Sequence, residues 1–591
     1  MSQIPNLDNA PINLTSIRDQ SQKELLNILR NVRGRKCVVI DQTLSGPLSL
    51  LIQTTLLKEN GAELRHLSSE PIQTDCSKIV FLVRCHPSLM EFILSNIQYD
   101  ISKGLKKDYF IYFVPRRTVA CEKVLEKDGI HNMITIGEFP LYLVPLDDDV
   151  LSFELDFAYR DVHVDGDTSS LWHIAKALHK LELSFGVIRN FLAKGSASVK
   201  VVEILESMQA EDPVDSEDVG IPEINTIILL DRDVDMFTPM CFQLTYEGII
   251  DEILRINSGS VELDASIMGT PQDGKKVKVP LNSSDRLYKE VRDLQFGVVM
   301  QVLRERATSM KQDYADISST QTVSELKDFV KKLNSLPEIS RHINLAQHLC
   351  AFTSKPSFNG RLDIEQTILE GEAYEICFEH VEEMIHKQEP IISVLRLLVL
   401  FSITNAGLPK KNFDYLRREL LHSYGFEHMP TLYNLEKAGL LKKQELKSNW
   451  PIITRALKLI ADDSSSTNPN DIAHLYSGYA PLSIRLVQHA IRSGWRSIEE
   501  VLKLLPGPMK RGGDSTTSDM RNVHANLGRP SDGRRSVALV VFIGGVTSGE
   551  LSALRFLSSQ EGMGHDFIVA TTKVVNGNTL LETLLDTTVR N

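Results

Sequence analysis

The first 150 residues alternate short apolar runs with stretches of helical spacing. RKCVVID (35–41) reads as a buried strand, with a basic lead, an apolar centre and a polar stop. SKIVFLVR (77–84) and KDYFIYFVP (107–115) repeat that signal, and MITI and LYLVPL complete the set. Between them lie helical patterns: Leu48, Leu51, Ile52 and Leu56 after a Gly46-Pro47 turn, then 87–97, then TVACEKVLEKDG. Strands alternating with helices of this length predict βαβ units and a doubly wound parallel sheet. A second region opens near Asp147, with a helix over 169–185 whose stripe is Leu171, Ile174, Ala175, Leu178, Leu181 and Leu183. The acidic stretch 206–223 reads as a solvated loop, and INTIILLDRDVDMFTP as an apolar strand ending in three aspartates.

After that strand the β pattern lapses until the C-terminal region. Phe296, Val299, Leu303, Met310 and Tyr314 mark one helix. Val323, Leu326, Phe329, Leu333 and Leu336 mark a second, which Pro337 is expected to end. The short polar connection ADISSTQ predicts an antiparallel helical hairpin. The stretch 509–535, rich in Gly, Ser and Arg, reads as a disordered insertion. The β signal then returns in SVALVVFIGG, a helix over about 549–558, and HDFIVATT. This return predicts a sheet begun around Ile227, interrupted by an inserted domain and completed by C-terminal strands.

Composition narrows the function. The chain has 591 residues and a formal net charge of −12, whereas a general nucleic-acid binder would carry a basic excess. Seven cysteines without a CxxC or a Cys/His cluster predict buried thiols in a reducing compartment. The polar N-terminus lacks the shape of a signal peptide. The longest apolar runs, VLRLLVLFSI (394–403) and VALVVFIGGV (537–546), fall short of the roughly 18 residues needed to span a bilayer. Any membrane role is therefore expected to be peripheral.

Candidate chemistry is sparse. Asp231 and Asp233 at a strand end suit a phosphate-transferring enzyme with a nucleophile and an acid/base beside magnesium. The alternative is structural, with Asp231 paired to an arginine and Asp235 capping the next turn. An EF-hand loop fails at Met236 and Phe242. IGGVTSGE lacks the lysine of a P-loop and the third dinucleotide-binding glycine, and Thr547 or Ser548 as a helix cap explains it equally well. There is no GxSxG elbow. Arg304, Arg306 and Lys311 on the first long helix, with Lys327, Lys331 and Lys332 on the second, are either a solvated face or a grip for an acidic amphipathic helix.

At LLDRDVDMFTPMCFQLTYEGIIDEI (229–253) the chain resembles the Sec/Munc (SM) family of membrane-fusion proteins. YSGYAPLSIRLVQHAIRSGWRSIEEVLKLLPGP and VVFIGGVTSGELSALRFLS are similar to the family branch that serves the HOPS and CORVET tethering complexes, in a plant-like form. The resemblance implies an α/β fold of SM type: an arch with a Rossmann-like parallel-sheet first domain (1–146), a discontinuous α/β second domain (147–250 and 536–591) and an inserted, mainly helical third domain (251–508). It further implies a helical arm at about 296–352 that receives SNARE helices, and a helical-repeat tether subunit docking on the later part of the third domain and the end of the second. Arg304, Arg306, Lys311, Lys327, Lys331 and Lys332 are then SNARE-contact candidates, and Asp231, Arg232, Asp235 and Asp251 lock the junction to the inserted domain. No catalysis, cofactor, metal or nucleic acid is expected. The expected location is the cytosolic face of vacuolar and late-endosomal membranes, held through partners. Ser548-Gly549 stand where the family pattern has an aromatic-Ala pair, which predicts looser packing at that helix start. The runner-up is a phosphate- or nucleotide-handling enzyme using Asp231 and Asp233.

Overall fold

Five short parallel strands organise the smaller of two units in the computed structural model, which describes residues 4–127, 129, 131–213, 222–267, 274–316, 323–461, 470–512 and 535–585. For 127, 131, 310–316 and 323–336 it describes the backbone alone. This unit comprises 1–154, 257–260 and 282–284; the larger comprises 155–256, 261–281 and 285–591. The smaller unit runs α1 (Leu14–Asn31), β1 (Lys36–Ile40), α2 (Gln42–Leu51), α3 (Thr54–Glu59), β2 (Ala62–His66), β3 (Lys78–Arg84), α4 (Pro87–Ser102), β4 (Asp108–Val114), α5 (Val119–Lys127) and β5 (Ile134–Glu138). A hairpin of β6 (Val144–Asp147) and β7 (Val150–Ser152) follows. The sheet order is β2-β1-β3-β4-β5, all parallel.

The two-residue period of a strand explains why these runs are apolar throughout. Val38, Ile40, Val80 and Leu82 enter one core, while Cys37, Val39, Ile79, Phe81 and Val83 enter another. A parallel sheet covered on both faces has no polar side to show. Two expectations need correction. Gly46-Pro47 is not a turn, because α2 starts at Gln42 and runs through it. Asp41 caps that helix by accepting the Thr43 N–H at 3.1 Å, and Pro47 is buried beside Leu44, Leu48 and Leu51. Helix α4 likewise continues past 97 to Ser102.

The larger unit begins with α6 (Ser169–Phe185), β8 (Asn190–Lys194), α7 (Ser196–Glu211) and β9 (Thr226–Asp231). Helix α7 takes in the first part of the stretch read as a loop, with Val201, Val202 and Leu205 buried; 214–221 lie outside the described residues. Next come α8 (Tyr246–Leu254), then β10 (Ser260–Asp264) and β11 (Lys276–Pro280), which form a two-stranded sheet the sequence reading missed. The helices then run α9 (Arg286–Val291), α10 (Phe296–Asp316), α11 (Val323–Thr353), α12 (Pro356–Glu370), α13 (Tyr374–His386), α14 (Ile391–Thr404), α15 (Lys410–Tyr424), α16 (Met429–Lys437), α17 (Trp450–Leu457), α18 (Leu482–Arg492) and α19 (Glu499–Leu504).

The chain closes with β12 (Met509–Gly512), β13 (Ser536–Ile543), α20 (Ser548–Ser559), β14 (His565–Thr571) and α21 (Gly577–Glu582). Within this unit the strand order is β12-β8-β9-β13-β14. β13 pairs in parallel with both β9 and β14, so the C-terminal strands do complete the sheet that opens near Ile227. The stretch read as an insertion starts as a strand, since Met509–Gly512 pairs antiparallel with β8. Residues 513–534 lie outside the described ones.

Candidate functional site

Two of the three aspartates of LLDRDVD, Asp231 and Asp235, are structural in this geometry. Asp231 ends β9 and is 2% exposed. Its carboxylate accepts the Ala197 N–H at 2.8 Å, the Ser198 N–H at 2.7 Å and the Ser198 hydroxyl at 2.5 Å. It therefore satisfies the orphan donors at the start of α7 and complements that helix dipole. Gly195, at φ 109°, is required there, because a β-carbon would run into the Asp231 carboxylate. Burial raises the Asp231 carboxyl to about 6, although the Ser198 and Ala197 hydrogen bonds oppose the rise. The expected arginine partner is not Asp231's. Arg232, 1% exposed, turns the other way and meets Glu550 at 2.8 and 3.0 Å. It also donates to the Asp235 and Gly545 carbonyls.

That pair ties β9 to α20. Glu550 completes a capping box with Thr547, whose hydroxyl accepts the Glu550 N–H, and it accepts the Ser483 hydroxyl from α18. Asp235 caps the next turn as expected, through the Thr238 N–H at 3.0 Å and hydroxyl at 2.6 Å, and takes the Ser483 N–H at 2.9 Å. Asp251, in α8, holds Ile256 N–H at 3.0 Å and Asn576 at 3.0 Å. Burial first, then the charge of Glu252, pushes its carboxyl to about 7. Beside it, buried Arg396 of α14 is gripped by Glu252 at 2.6 and 2.8 Å and donates to the Met240 and Cys241 carbonyls. Ser548-Gly549 does not loosen this packing. Both are buried, the Gly549 N–H donates to Gln243 at 2.7 Å, and a β-carbon at 549 would strike the Tyr476 hydroxyl.

For the enzyme reading, Asp231 lacks the exposure and free oxygens a nucleophile needs. Asp233 is raised mainly by its burial, moderated by the charges of His163 and Lys442.

The helical hairpin is rooted through its two ends. Phe296, Val299 and Leu303 of α10 share a core with Ile339, Leu345, Ala346 and Leu349 of α11, so the start of one helix lies against the end of the other and the pair runs antiparallel. Pro337 does not end α11, which continues to Thr353. Proline costs a helix one hydrogen bond, but the turns beyond it are fixed by that core and by Asp285. Asp285 accepts Tyr288 N–H at 3.0 Å, His342 at 3.0 Å and Arg341. Burial alone would raise the Asp285 carboxyl, yet His342 and Arg341 bring it down to about 2. Tyr246 bonds the other nitrogen of His342 at 3.0 Å.

Beyond Leu303 the described side chains of α10 are mostly exposed. Arg304 is exposed, and Arg306 is held by Glu290 at 2.5 Å. Lys311, Lys327, Lys331 and Lys332 lie on α10 and α11, but their side chains are outside the described set.

A second surface feature escaped the sequence reading. A cavity of about 320 Å³ opens between α15 and α16, lined by Arg417, Leu421, His422, Phe426 and Met429. Phe426 is 63% exposed and nearby Tyr433 59%. The only sequence signal was an aromatic after a helix-ending glycine.

Among the described residues no helix is long and apolar enough to cross a membrane. The Sec1 family model matches residues 36–583. The chain is 65% identical over 589 residues to the vacuolar protein-sorting-associated protein 33 homolog of Arabidopsis thaliana, covering 99% of this chain and 100% of that one. In structure it is similar to the Unc18–syntaxin 1 complex of Monosiga brevicollis (TM-score 0.59, 14% identity, 96% and 99% of the two chains). It is also similar to the SM protein Vps45 in complex with the Qa SNARE Tlg2 (TM-score 0.58, 13% identity, 96% and 97%).

Proposed function

This chain belongs to the Sec1 family, and from that premise we propose that it binds SNARE helices and promotes their assembly in vacuolar protein sorting. The observation that carries the reading is the 65% identity to a vacuolar sorting protein across essentially the whole of both chains. The reading is not enzymatic, and the engagement of Asp231 as a helix cap supports that. It needs no cofactor and no nucleic acid.

The proposed SNARE site is the α10–α11 pair, with Arg304, Arg306, Lys311, Lys327, Lys331 and Lys332 as contacts. What supports it is the division of labour along the pair. Phe296, Val299 and Leu303 anchor one helix and Ile339, Leu345, Ala346 and Leu349 the other in a shared core, and just beyond Leu303 the Arg304 and Arg306 side chains are exposed. Holding two SNARE segments side by side removes part of the ordering entropy that opposes bundle formation.

A helical-repeat subunit of the HOPS and CORVET tethers is the proposed second partner. The cavity and exposed Phe426, Met429 and Tyr433 favour its docking on α15 and α16, since aromatic anchors beside a pocket are typical of interface hot spots. The protein would work in the cytosol, peripherally at vacuolar and late-endosomal membranes, through these partners.

Calorimetry of vacuolar-type SNARE motifs with the intact chain, and with a chain whose residues 296–352 are replaced by a short linker, tests the site. Binding by the first and not by the second, with both folded, is the expected result. Equal binding by both would move the site elsewhere on the protein.

A further inference from the structure

The segment 442–458 carries an apolar knob that the fold fixes in place and does not cover. Leu446 is 78% exposed and Ile452 56%. An exposed leucine is unremarkable on a mobile loop, but this one is held. Gln444 donates its N–H to the Leu408 carbonyl at 2.8 Å and its side-chain amide to the Asn405 carbonyl at 2.9 Å. Leu408 N–H returns a bond to the Lys442 carbonyl at 2.9 Å. Ser448 closes the loop on the Thr404 carbonyl at 2.6 Å. Gly407, at φ 115°, is what allows the approach, because a β-carbon there would sit 2.7 Å from the Gln444 nitrogen.

Helix α17 is anchored just as firmly. The Trp450 indole donates to the Leu369 carbonyl at 2.7 Å and stacks on Phe237 at 3.8 Å. Ile453 and Leu457 are buried, so the opposite face, with Ile452 and Arg455, is turned to solvent.

The charge carried by this segment is one-sided. Lys442, Lys443, Lys447, Arg455 and Lys458 are exposed, against Glu445 alone in the same segment. Lys443 is partly engaged by Asp414 at 2.8 Å and Lys442 acts on Asp233; Lys447, Arg455 and Lys458 enter no ion pair among the described residues. On a chain of net charge −12, this is a local reversal of sign. Exposed aliphatics interspersed along one segment with exposed Lys and Arg suit the headgroup region of an anionic bilayer, where the aliphatics insert and the cations meet phosphate and carboxylate. A helical protein ligand would want a groove instead, and neither the α15–α16 cavity nor the one between α7 and β8–β9 is lined by these residues.

We propose that the 442–458 surface contacts anionic membranes directly, weakly and salt-dependently, which goes beyond attachment through partners. The test is co-sedimentation of the full chain with vesicles of phosphatidylcholine alone or with about a third phosphatidylserine, at low and high salt. Two double variants are compared, Leu446→Asp with Ile452→Asp, and Lys447→Glu with Arg455→Glu. All four side chains are exposed, so thermal melting should match the native chain.

The native chain should bind the anionic vesicles preferentially and lose that binding at high salt. Each double variant should bind at least about tenfold less. Equal binding to both vesicle types, or native binding by both variants, would overturn the proposal. So would variants that keep vesicle binding and instead fail to assemble with the helical-repeat subunit, which would make the surface a protein contact.

Discussion

Arg232 and Glu550 are fully buried charges 318 positions apart in sequence, and Glu550 is the nearer of the two carboxylates, with Asp235, that compensate the arginine. Removing one partner of such a pair strands an uncompensated ion and costs about 3–5 kcal/mol. Glu550→Gln should therefore lower the melting temperature of the larger unit sharply. Pairing Arg232→Met with Glu550→Leu should recover only part of the loss, because the buried Asp235 carboxylate, 3.4 Å from the Arg232 guanidinium, is then left without its cation. Asp251 gives a different signature. Its folded carboxyl titrates at about 7 because it is buried and faces Glu252, against about 4 in an unfolded chain. Between those values the folded state holds more protons than the unfolded one, so stability should fall as pH rises from about 4 to 7 and level off above. The slope is at most about 1.4 kcal/mol per pH unit. Melting temperature against pH should show this fall in the native chain, and a flatter curve for Asp251→Asn. An Asp251→Asn curve as steep as the native one would assign the proton uptake elsewhere. The pattern LDRDVD announced Asp231, Arg232 and Asp235, but not which partner each takes. Those partners stand up to 318 positions away in sequence, and spacing carries no information about them.

At the level of elements, legibility followed hydrophobic period. Helix α6 and strands β3 and β4 lie where their apolar positions put them, because burial dictates both pattern and conformation. Strand β2 went unseen because it is half polar, with its last two residues exposed at the sheet edge. Pro337 misled for a physical reason: a single proline ends a helix only if nothing beyond it restores the lost bond's worth, and here the Asp285–His342–Arg341 contacts and the α10–α11 core do so. The same elements frame the binding prediction. Replacing Lys327, Lys331 and Lys332 together with Glu reverses the charge of one stretch of α11 while leaving the root at 339–349 untouched. SNARE binding measured by calorimetry should weaken about tenfold, since exposed charge pairs each contribute modestly, with melting temperature and tether assembly unchanged. Native affinity in that variant would strike these three lysines from the proposed contacts.

For the whole molecule, the sequence order and the spatial order of the sheet disagree, and that disagreement makes the larger unit cooperative. β13 follows the whole helical region in sequence yet lies between β9 and β14, and every residue from Val537 to Ile543 is buried. Each large aliphatic or aromatic side chain among them contributes about 1.5–3 kcal/mol by burial, and Glu550 just beyond supplies the counter-charge for Arg232. The last segment of the chain is therefore a central component of a core that the first part of the unit opens. The covalent link across 513–534 matters much less, because β12 and β13 are separated by β8 and β9, and a chain crossing three strand spacings of about 4.8 Å needs only a short connection. A specific protease site placed between Gly512 and Arg535 should be cleavable without dissociation: the two fragments should co-elute in gel filtration and melt near the intact protein. A chain truncated after Gly512 should instead leave β9 without one of its two parallel neighbours, an unpaired edge in the middle of the sheet, so the larger unit should fail to fold while the smaller, whose cores come from its own residues, retains protected amides in hydrogen exchange. Fragments that separate on cleavage would mean that the buried strand alone does not hold the sheet, and that its connection does.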